Sequence, residues 1–95
     1  MKEVIQKCRE LGSEVFRIYK KLVFERKEFE VSKEFLLSGT SIAASYTLIH
    51  PRLARIKLDE TRYWITLLKK TRYLYPAEYQ RLMAKCNEIE ACLDA

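Results

Sequence analysis

Turn-forming residues are scarce in this chain, which has two glycines and two prolines in 95 residues. A protein built from many short strands needs frequent turns, and glycine and proline are among the residues that most often make them. Extended segments that alternate apolar and polar residues are absent as well. Apolar residues recur instead at helical spacing along the whole chain, so the sequence predicts an all-α protein.

Residues of catalytic and metal-binding chemistry are also few. The one histidine, His50, precedes a proline and is predicted to cap a helix or lie on the surface. The three cysteines, Cys8, Cys86 and Cys92, are odd in number and lack CxxC spacing, so we interpret them as reduced core thiols and expect no metal site. No phosphate-binding glycine loop or nucleophile-elbow pattern occurs. The sequence therefore supports neither an enzyme nor a cofactor.

Long apolar runs are missing too. No stretch approaches the roughly 20 apolar residues that span a bilayer, and the charged N-terminal segment has no apolar signal region. We therefore expect a cytoplasmic protein that does not associate with membranes. A chain of 95 residues predicts one domain over residues 1–95 with a small core, which oligomerisation would help to bury.

Apolar periodicity divides the chain into four helices. The first is predicted over residues 2–24, and the second over 32–49 with Ser32 as its N-cap. The third is predicted over 51–73, because the residue before a proline avoids the helical conformation and proline suits the first helical position. The fourth begins at Pro76 by the same reasoning. Four amphipathic helices with short connections predict an antiparallel up-down-up-down four-helix bundle.

The apolar faces of these helices give the expected core. The stripes run through Val4, Cys8, Leu11, Val15, Tyr19 and Leu22 in the first helix, Leu53, Ile56, Glu60, Tyr63, Trp64, Leu67 and Leu74 in the third, and Tyr79, Leu82, Met83, Cys86, Ile89 and Leu93 in the fourth. Gly39 lies on the stripe of the second helix, which predicts a close crossing with a neighbouring helix. Glu60 is interpreted as a carboxylate bonded to a hydroxyl or basic group of a neighbouring helix, with a catalytic acid as the alternative.

Positive charge is concentrated in the third predicted helix. The formal net charge is +5, and residues 51–75 carry seven basic and two acidic side chains. Arg55, Arg62 and Lys69 recur every seven residues, nearly two helical turns, on the face opposite the predicted core. Such a row can follow a phosphate backbone, so we interpret these three residues, with Arg52 and Arg72, as candidate nucleic-acid contacts. An ordinary solvated helix face is the alternative interpretation.

Two apolar residues of the same helix fall outside its predicted core stripe. Leu58 and Ile65 are seven residues apart, and a monomeric bundle with this phase would leave both exposed. Isolated exposed apolar residues are normal on protein surfaces, but an aligned pair more often marks a contact between subunits. Leu58 and Ile65 are therefore the candidate oligomer interface.

Several short motifs resemble one known family. The stretch from Leu36 to Ser45 holds seven small residues, and Glu60-Thr61-Arg62-Tyr63-Trp64 follows it. Ile18-Tyr19-Lys20, Val31-Ser32-Lys33 and Cys86-Asn87-Glu88-Ile89 extend the resemblance to every quarter of the chain. The family is one of small four-helix-bundle proteins. It includes proteins encoded in intervening sequences of bacterial 23S ribosomal RNA and the accessory variability proteins of diversity-generating retroelements. Between Gly39 and Trp64 the chain is roughly ten residues shorter than typical members, about three helical turns.

The resemblance implies a ring-like homo-oligomer, most often a pentamer, and an association with nucleic acid. We therefore expect a non-enzymatic, basic, oligomeric scaffold that binds structured RNA or DNA. Its expected setting is that of an accessory subunit of a retroelement reverse transcriptase, aiding template-primed cDNA synthesis. Two alternatives stay open: a protein encoded in a 23S ribosomal RNA intervening sequence, and an adaptor that binds an acidic protein partner without binding nucleic acid.

Overall fold

The computed structural model describes residues 2–94, which form helices and connections with no strand among them. Helix α1 spans Lys2–Phe24, α2 spans Val31–Thr40, α3 spans Pro51–Lys70 and α4 spans Pro76–Asp94. Beyond α2, the second rod continues through one helical turn, Ile42–Ala44, and a π-helical segment, Ser45–Ile49. The predicted all-helical organisation in four rods is confirmed. Among the described residues, no helix is both long and apolar enough to cross a membrane.

The helices pack side by side around one elongated core. Each packs against two neighbours: α1 and α3 both contact α2 and α4. The described part of the chain measures 36 × 22 × 18 Å. Buried apolar side chains come from every rod, and their removal from water is the main driving force for folding. They are Val4, Cys8, Leu11, Val15, Ile18, Leu22, Phe35, Ile42, Ala54, Leu58, Ile65, Leu68, Leu74, Leu82, Cys86 and Ile89.

The second rod is interrupted where a single helix over 32–49 is predicted. Its small polar side chains bond to carbonyls of their own preceding turn: Thr40 Oγ1 donates to Leu36 O at 2.7 Å, and Ser41 Oγ donates to Ser38 O at 3.0 Å. Bonds of this kind compete with the regular helical ladder and bend helices. The rod ends at His50, whose extended backbone (φ −164°, ψ 140°) accommodates the following proline as predicted.

The start of α2 also differs from the prediction that Ser32 is its N-cap. The helix begins one residue earlier, at Val31, and Ser32 is fully buried with its hydroxyl donating to Glu28 O at 2.7 Å. The Glu28 carboxylate accepts the N–H groups of Val31 at 3.1 Å and Ser32 at 2.6 Å. A longer acidic side chain, positioned by the preceding turn, therefore satisfies the free N–H groups of the helix start.

The largest correction concerns the face that α3 turns toward the core. Leu58 and Ile65 are fully buried, whereas Ile56 and Tyr63 are 49% and 61% exposed. The true core stripe lies one residue further along the helix than predicted, a rotation of about 100°. It consists of Ala54, Leu58, Thr61, Ile65 and Leu68.

The cost of burying polar groups explains this choice of face. The predicted stripe would have buried the carboxylate of Glu60, which instead lies exposed, 3.3 Å from Lys57 Nζ. The observed stripe carries one polar residue, Thr61, whose hydroxyl donates to Lys57 O at 2.7 Å. The interpretation of Glu60 as a bonded carboxylate in an apolar stripe is therefore wrong. The expectation of a core position is wrong for Tyr63 as well, while Trp64 packs partly buried against the core.

The close crossing predicted at Gly39 is confirmed. Gly39 is buried in α2 and faces Val15 of α1. A β-carbon on Gly39 would lie 2.8 Å from Val15 Cγ2, which is closer than packed carbon atoms approach. Glycine therefore permits these two helices to meet at this distance.

Candidate nucleic-acid interface

The predicted row of cations on α3 exists, but it faces α4. Arg55, Arg62 and Lys69 lie along one line of the helix, and the first two meet carboxylates there. Arg55 Nη1 lies 3.5 Å from an oxygen of Glu90, and its Nη2 contacts Asp94. The Arg55 side chain is consequently about one-third exposed rather than free in solvent.

Arg62 is the most enclosed cation of the row, with 18% of its side chain exposed. It donates to Asn87 Oδ1 at 2.7 Å and to Glu90 Oε1 at 2.9 Å, and it lies 3.7 Å from Asp59. Burial acts to lower the pKa of Arg62, but the hydrogen bond and charge of Glu90 outweigh it and hold that pKa above its ordinary value. The guanidinium is thus a structural link between α3 and α4.

Lys69 differs from the two arginines because its partner is uncharged. Its ammonium lies 4.4 Å from the ring centroid of Tyr79, at cation–π distance, and the residue remains exposed. The expectation of a free, solvent-facing row is therefore wrong for Arg55 and Arg62 and stays open for Lys69. The reason is that α4 contributes carboxylates to the groove between the two helices.

The proposed oligomer interface is also overturned. Leu58 and Ile65 are fully buried inside the chain's own core and have no surface to offer a second subunit. Sequence periodicity placed both residues off the core because α3 has apolar residues on two adjacent faces.

The remaining two candidates, Arg52 and Arg72, are exposed near opposite ends of α3. The backbone N–H of Arg52 donates to His50 Nδ1 at 3.0 Å, which confirms His50 as a helix cap. Among the described residues, neither arginine makes an ion pair with a carboxylate.

Arg72 belongs to a group of cations where the α1–α2 and α3–α4 connections meet. Within residues 2–94 these cations make no ion pair with a carboxylate, in contrast to the cations between α3 and α4. We call them the loop-end cluster: Arg26, Lys27, Lys69, Lys70 and Arg72. Elsewhere in the described chain, several basic residues are paired, as in Lys7 with Glu88 at 3.1 Å.

Arg26 joins the two connections. Its guanidinium donates to the carbonyl oxygens of Arg72 at 3.1 Å and Tyr73 at 3.4 Å. Its Cζ also lies 4.8 Å from the ring centroid of Tyr73. These contacts link segments more than 40 residues apart and hold the cations of both connections on one end of the bundle.

Two members of the cluster have a left-handed backbone. Lys27 has φ 57° and Arg72 has φ 67°, a region that glycine adopts readily and other residues seldom do. At the end of α3, Tyr73 N donates to Leu68 O at 2.8 Å and Arg72 N donates to Lys69 O at 3.0 Å. This is the Schellman pattern, in which glycine usually holds the position that Arg72 occupies. The chain thus places cations where backbone geometry favours glycine.

Two carboxylates near the cluster are committed to the fold. Glu28 caps α2, and Glu78 accepts the Tyr75 N–H at 2.9 Å while Lys21 Nζ lies 2.7 Å away. Partial burial acts to raise the pKa of each, but the hydrogen bonds outweigh it, helped for Glu78 by the Lys21 charge, so both pKa values lie below their ordinary range. Both groups therefore stay ionised near neutral pH without pairing with the cluster.

Other residues singled out from the sequence serve the core. Cys8, Cys86 and Cys92 are free thiols, as predicted, and the first two are buried. Burial raises the pKa of Cys8 and of Cys86 to about 11. Among the described residues there is no group of three or more His, Cys, Asp or Glu side chains that could hold a metal ion.

Sequence reasoning identified Arg72 and Lys69 but missed Arg26, Lys27 and Lys70. Residues 25–28 and the end of α3 are distant in sequence, and only the fold brings these two segments together. The sequence does contain one signal: Arg26 and Lys27 follow the last apolar residue of α1, and Lys69, Lys70 and Arg72 follow the last apolar residue of α3.

The chain is similar to a solved structure whose family is known. A scan against protein-family models matches none of them, and a comparison with curated proteins finds no match. Among solved structures, the chain is similar to a protein of unknown function from the S23 ribosomal protein family of Bacteroides thetaiotaomicron. The two are 32% identical, the match covers 98% of this chain and 96% of the other, and the TM-score is 0.91. With this identity over nearly the full length of both chains, the protein belongs to the S23 ribosomal protein family.

Proposed function

We propose that this protein is a non-enzymatic, basic scaffold that binds structured nucleic acid, RNA or DNA, through the loop-end cluster. The observation that carries the proposal is the distribution of uncompensated charge: Arg55 and Arg62 of α3 are neutralised by carboxylates of α4, while the cations of the loop-end cluster have no carboxylate partner in the described chain. Cations that neutralise phosphates release condensed counterions, which drives association. The ribosomal family name of the Bacteroides protein favours RNA as the first ligand to test.

The proposal predicts that charge reversal at the loop end weakens binding. In Lys27→Glu/Lys70→Glu/Arg72→Glu, RNA affinity should fall for many sequences about equally, because phosphate contacts do not read bases. Each lost contact should also reduce the slope of log affinity against log salt by about one. The measurement is fluorescence anisotropy with labelled RNA across a salt series.

A matched control separates the cluster from net charge. Arg9→Glu/Lys20→Glu/Arg52→Glu lowers the net charge by the same amount at exposed positions outside the loop-end cluster, and these cations likewise make no ion pair among the described residues. We expect it to retain most of the affinity and salt slope. An equal loss in both variants would mean that total charge alone matters, and no loss in either would favour the adaptor hypothesis.

We further propose an antiparallel up-down-up-down bundle that assembles as a ring-like homopentamer. Ion pairs between α1 and α4 support the antiparallel arrangement, because Lys21 near the end of α1 meets Glu78 near the start of α4. For the subunit contact, the corrected phase of α3 favours Ile56 and Tyr63, which are seven residues apart and both largely exposed. Light scattering of the wild type should give a multiple of the 11.3 kDa chain mass, and Ile56→Ser/Tyr63→Ser should shift it toward the monomer. A wild-type monomer at micromolar concentration would contradict this assembly.

The cellular setting we propose is an accessory role for a cytoplasmic retroelement reverse transcriptase. Its support is the sequence resemblance described above together with the basic loop end. Adding the protein to such a polymerase and its template RNA should increase cDNA yield, and the loop-end triple variant should not. An unchanged yield with retained RNA binding would favour the second setting, a protein encoded within a 23S ribosomal RNA intervening sequence.

A further inference from the structure

Two large aromatic side chains lie exposed in the segments that carry the loop-end cluster. Phe24, the last residue of α1, is 69% exposed, and Tyr75, in the α3–α4 connection, is 67% exposed. The ammonium of Lys21 lies 5.5 Å from the centroid of the Tyr75 ring. Exposed rings add little to the core of a small bundle and leave apolar surface in water. Exposed rings and unpaired cations on the same segments would suit a ligand that has both negative charge and a flat apolar surface.

The shape of this surface limits how such a ligand can bind. A cavity of about 80 Å³ lies between the end of α1 and the α3–α4 connection, and Arg26, Tyr73 and Tyr75 are among its lining residues. Sites that enclose a small molecule typically measure about 300 Å³ or more. The cavity is therefore too small to receive a base, and a flat ligand would lie on the rings at the surface.

A third exposed aromatic ring, in the α1–α2 connection, has different neighbours. Phe29 is 59% exposed and lines an open cleft with Glu30, Glu34, Lys33 and Trp64. Glu30 and Glu34 have no ion-pair partner among residues 2–94, so they disfavour phosphate in this cleft, whereas the loop-end cluster attracts it. The small cavity has two carboxylates in its lining, Glu25 and Glu78. Glu78 makes an ion pair with Lys21, whereas Glu25 makes none among the described residues.

We infer that the loop end binds unpaired nucleotides, with phosphates on Lys27, Lys70 and Arg72 and bases stacked on Phe24 and Tyr75. Bases within a duplex are already stacked on one another and cannot use the rings, whereas unpaired bases can. Stacking on aromatic side chains tolerates any sequence, because every base has a π-face. This inference rests on the proposed nucleic-acid binding and names the part of a structured RNA that the protein selects: its loops and single-stranded segments.

The test compares an oligouridine strand with an RNA duplex that has the same number of phosphates. We expect the wild type to prefer the strand. In Phe24→Leu/Tyr75→Leu, the affinity for the strand should fall about tenfold or more, while the affinity for the duplex changes little. The salt slope for the strand should stay the same, because it counts phosphate contacts. Phe29→Leu, the matched control, should bind both probes like the wild type.

The outcomes separate this inference from the proposed function. Equal wild-type affinity for strand and duplex, with a steep salt dependence, would overturn the inference and leave nucleic-acid binding intact. Failure to bind either probe would overturn both. Tyr75→Phe keeps a ring and should retain preference for the strand. If it loses as much affinity as Phe24→Leu/Tyr75→Leu, the hydroxyl and not the ring makes the contact, and stacking is refuted. Circular dichroism melts of each variant check that the fold is retained.

Discussion

Replacing Gly39 with alanine tests the crossing of α1 and α2. The new β-carbon would lie 2.8 Å from Val15 Cγ2, 2.9 Å from Cγ1 and 3.3 Å from Cβ. Val15 is fully buried and β-branched, so its methyl groups cannot swing clear and the helices must separate. Overpacking of this kind costs about 1–3 kcal/mol, while alanine in place of glycine returns about 1 kcal/mol of helix propensity.

We therefore expect Gly39→Ala to lower the free energy of unfolding by about 1 kcal/mol, and Gly39→Leu to lower it further. For a chain of this size, 1 kcal/mol corresponds to a decrease in Tm of about 4–8 °C. Thermal melts followed by far-UV circular dichroism give the Tm, and urea titrations give the free energy of unfolding.

Gly12→Ala is the matched control. A β-carbon there meets its nearest neighbour, the carbonyl oxygen of Gly39, at 4.0 Å, an ordinary contact. That variant should therefore gain up to about 1 kcal/mol from helix propensity. Placing Gly39→Ala in a Val15→Ala background should remove most of its cost, since the clashing methyl groups are gone. A Tm for Gly39→Ala at or above that of the wild type, or an equal cost in both backgrounds, would refute the reasoning.

Four further predictions follow from the contacts of single residues. A double-mutant cycle between Arg62 and Glu90 should show a coupling energy of about 1 kcal/mol in urea titrations, and additive effects would mean that the pair does not stabilise the α3–α4 contact. Arg72→Gly should raise Tm, because glycine adopts a φ of 67° without the penalty of about 1 kcal/mol, and should weaken RNA binding; a lower Tm would mean that the arginine side chain supports the fold. Burial raises the pKa of Cys86 to about 11, so iodoacetamide should label it in the native protein only as pH approaches that value, and rapid labelling near neutrality, located by mass spectrometry, would contradict its burial. The pKa of Glu78 is lowered in the folded state, so its contribution to stability is present above the unfolded pKa of about 4.3 and is lost as pH falls through the folded pKa. Glu78→Gln lacks this contribution, so its Tm should decline less at acidic pH than that of the wild type. Identical profiles of Tm against pH would refute this.

Local features of the chain were predictable from sequence because they depend on neighbouring residues. The bounds of α1 were predicted over residues 2–24, and Pro51 and Pro76 begin α3 and α4 as expected. A proline restricts its own backbone and that of the preceding residue, wherever the segment lies in the fold. Structural similarity shows that the chain belongs to the S23 ribosomal protein family, whereas the relationship to intervening-sequence and retroelement accessory proteins that the short motifs suggest stays a prediction.

Tertiary structure decided everything that depends on two segments distant in sequence. Periodicity allowed two core faces for α3, and only packing against the other helices chose Leu58 and Ile65 over Ile56 and Tyr63, because that choice leaves charged groups in water. The same holds for charge. The positive charge of Arg62 is compensated because Glu90 approaches it from another helix. Basic residues of two separate connections, in contrast, come together where those connections meet. A sequence states which charges a chain has, but their distances in the folded state determine which of them remain available to a partner.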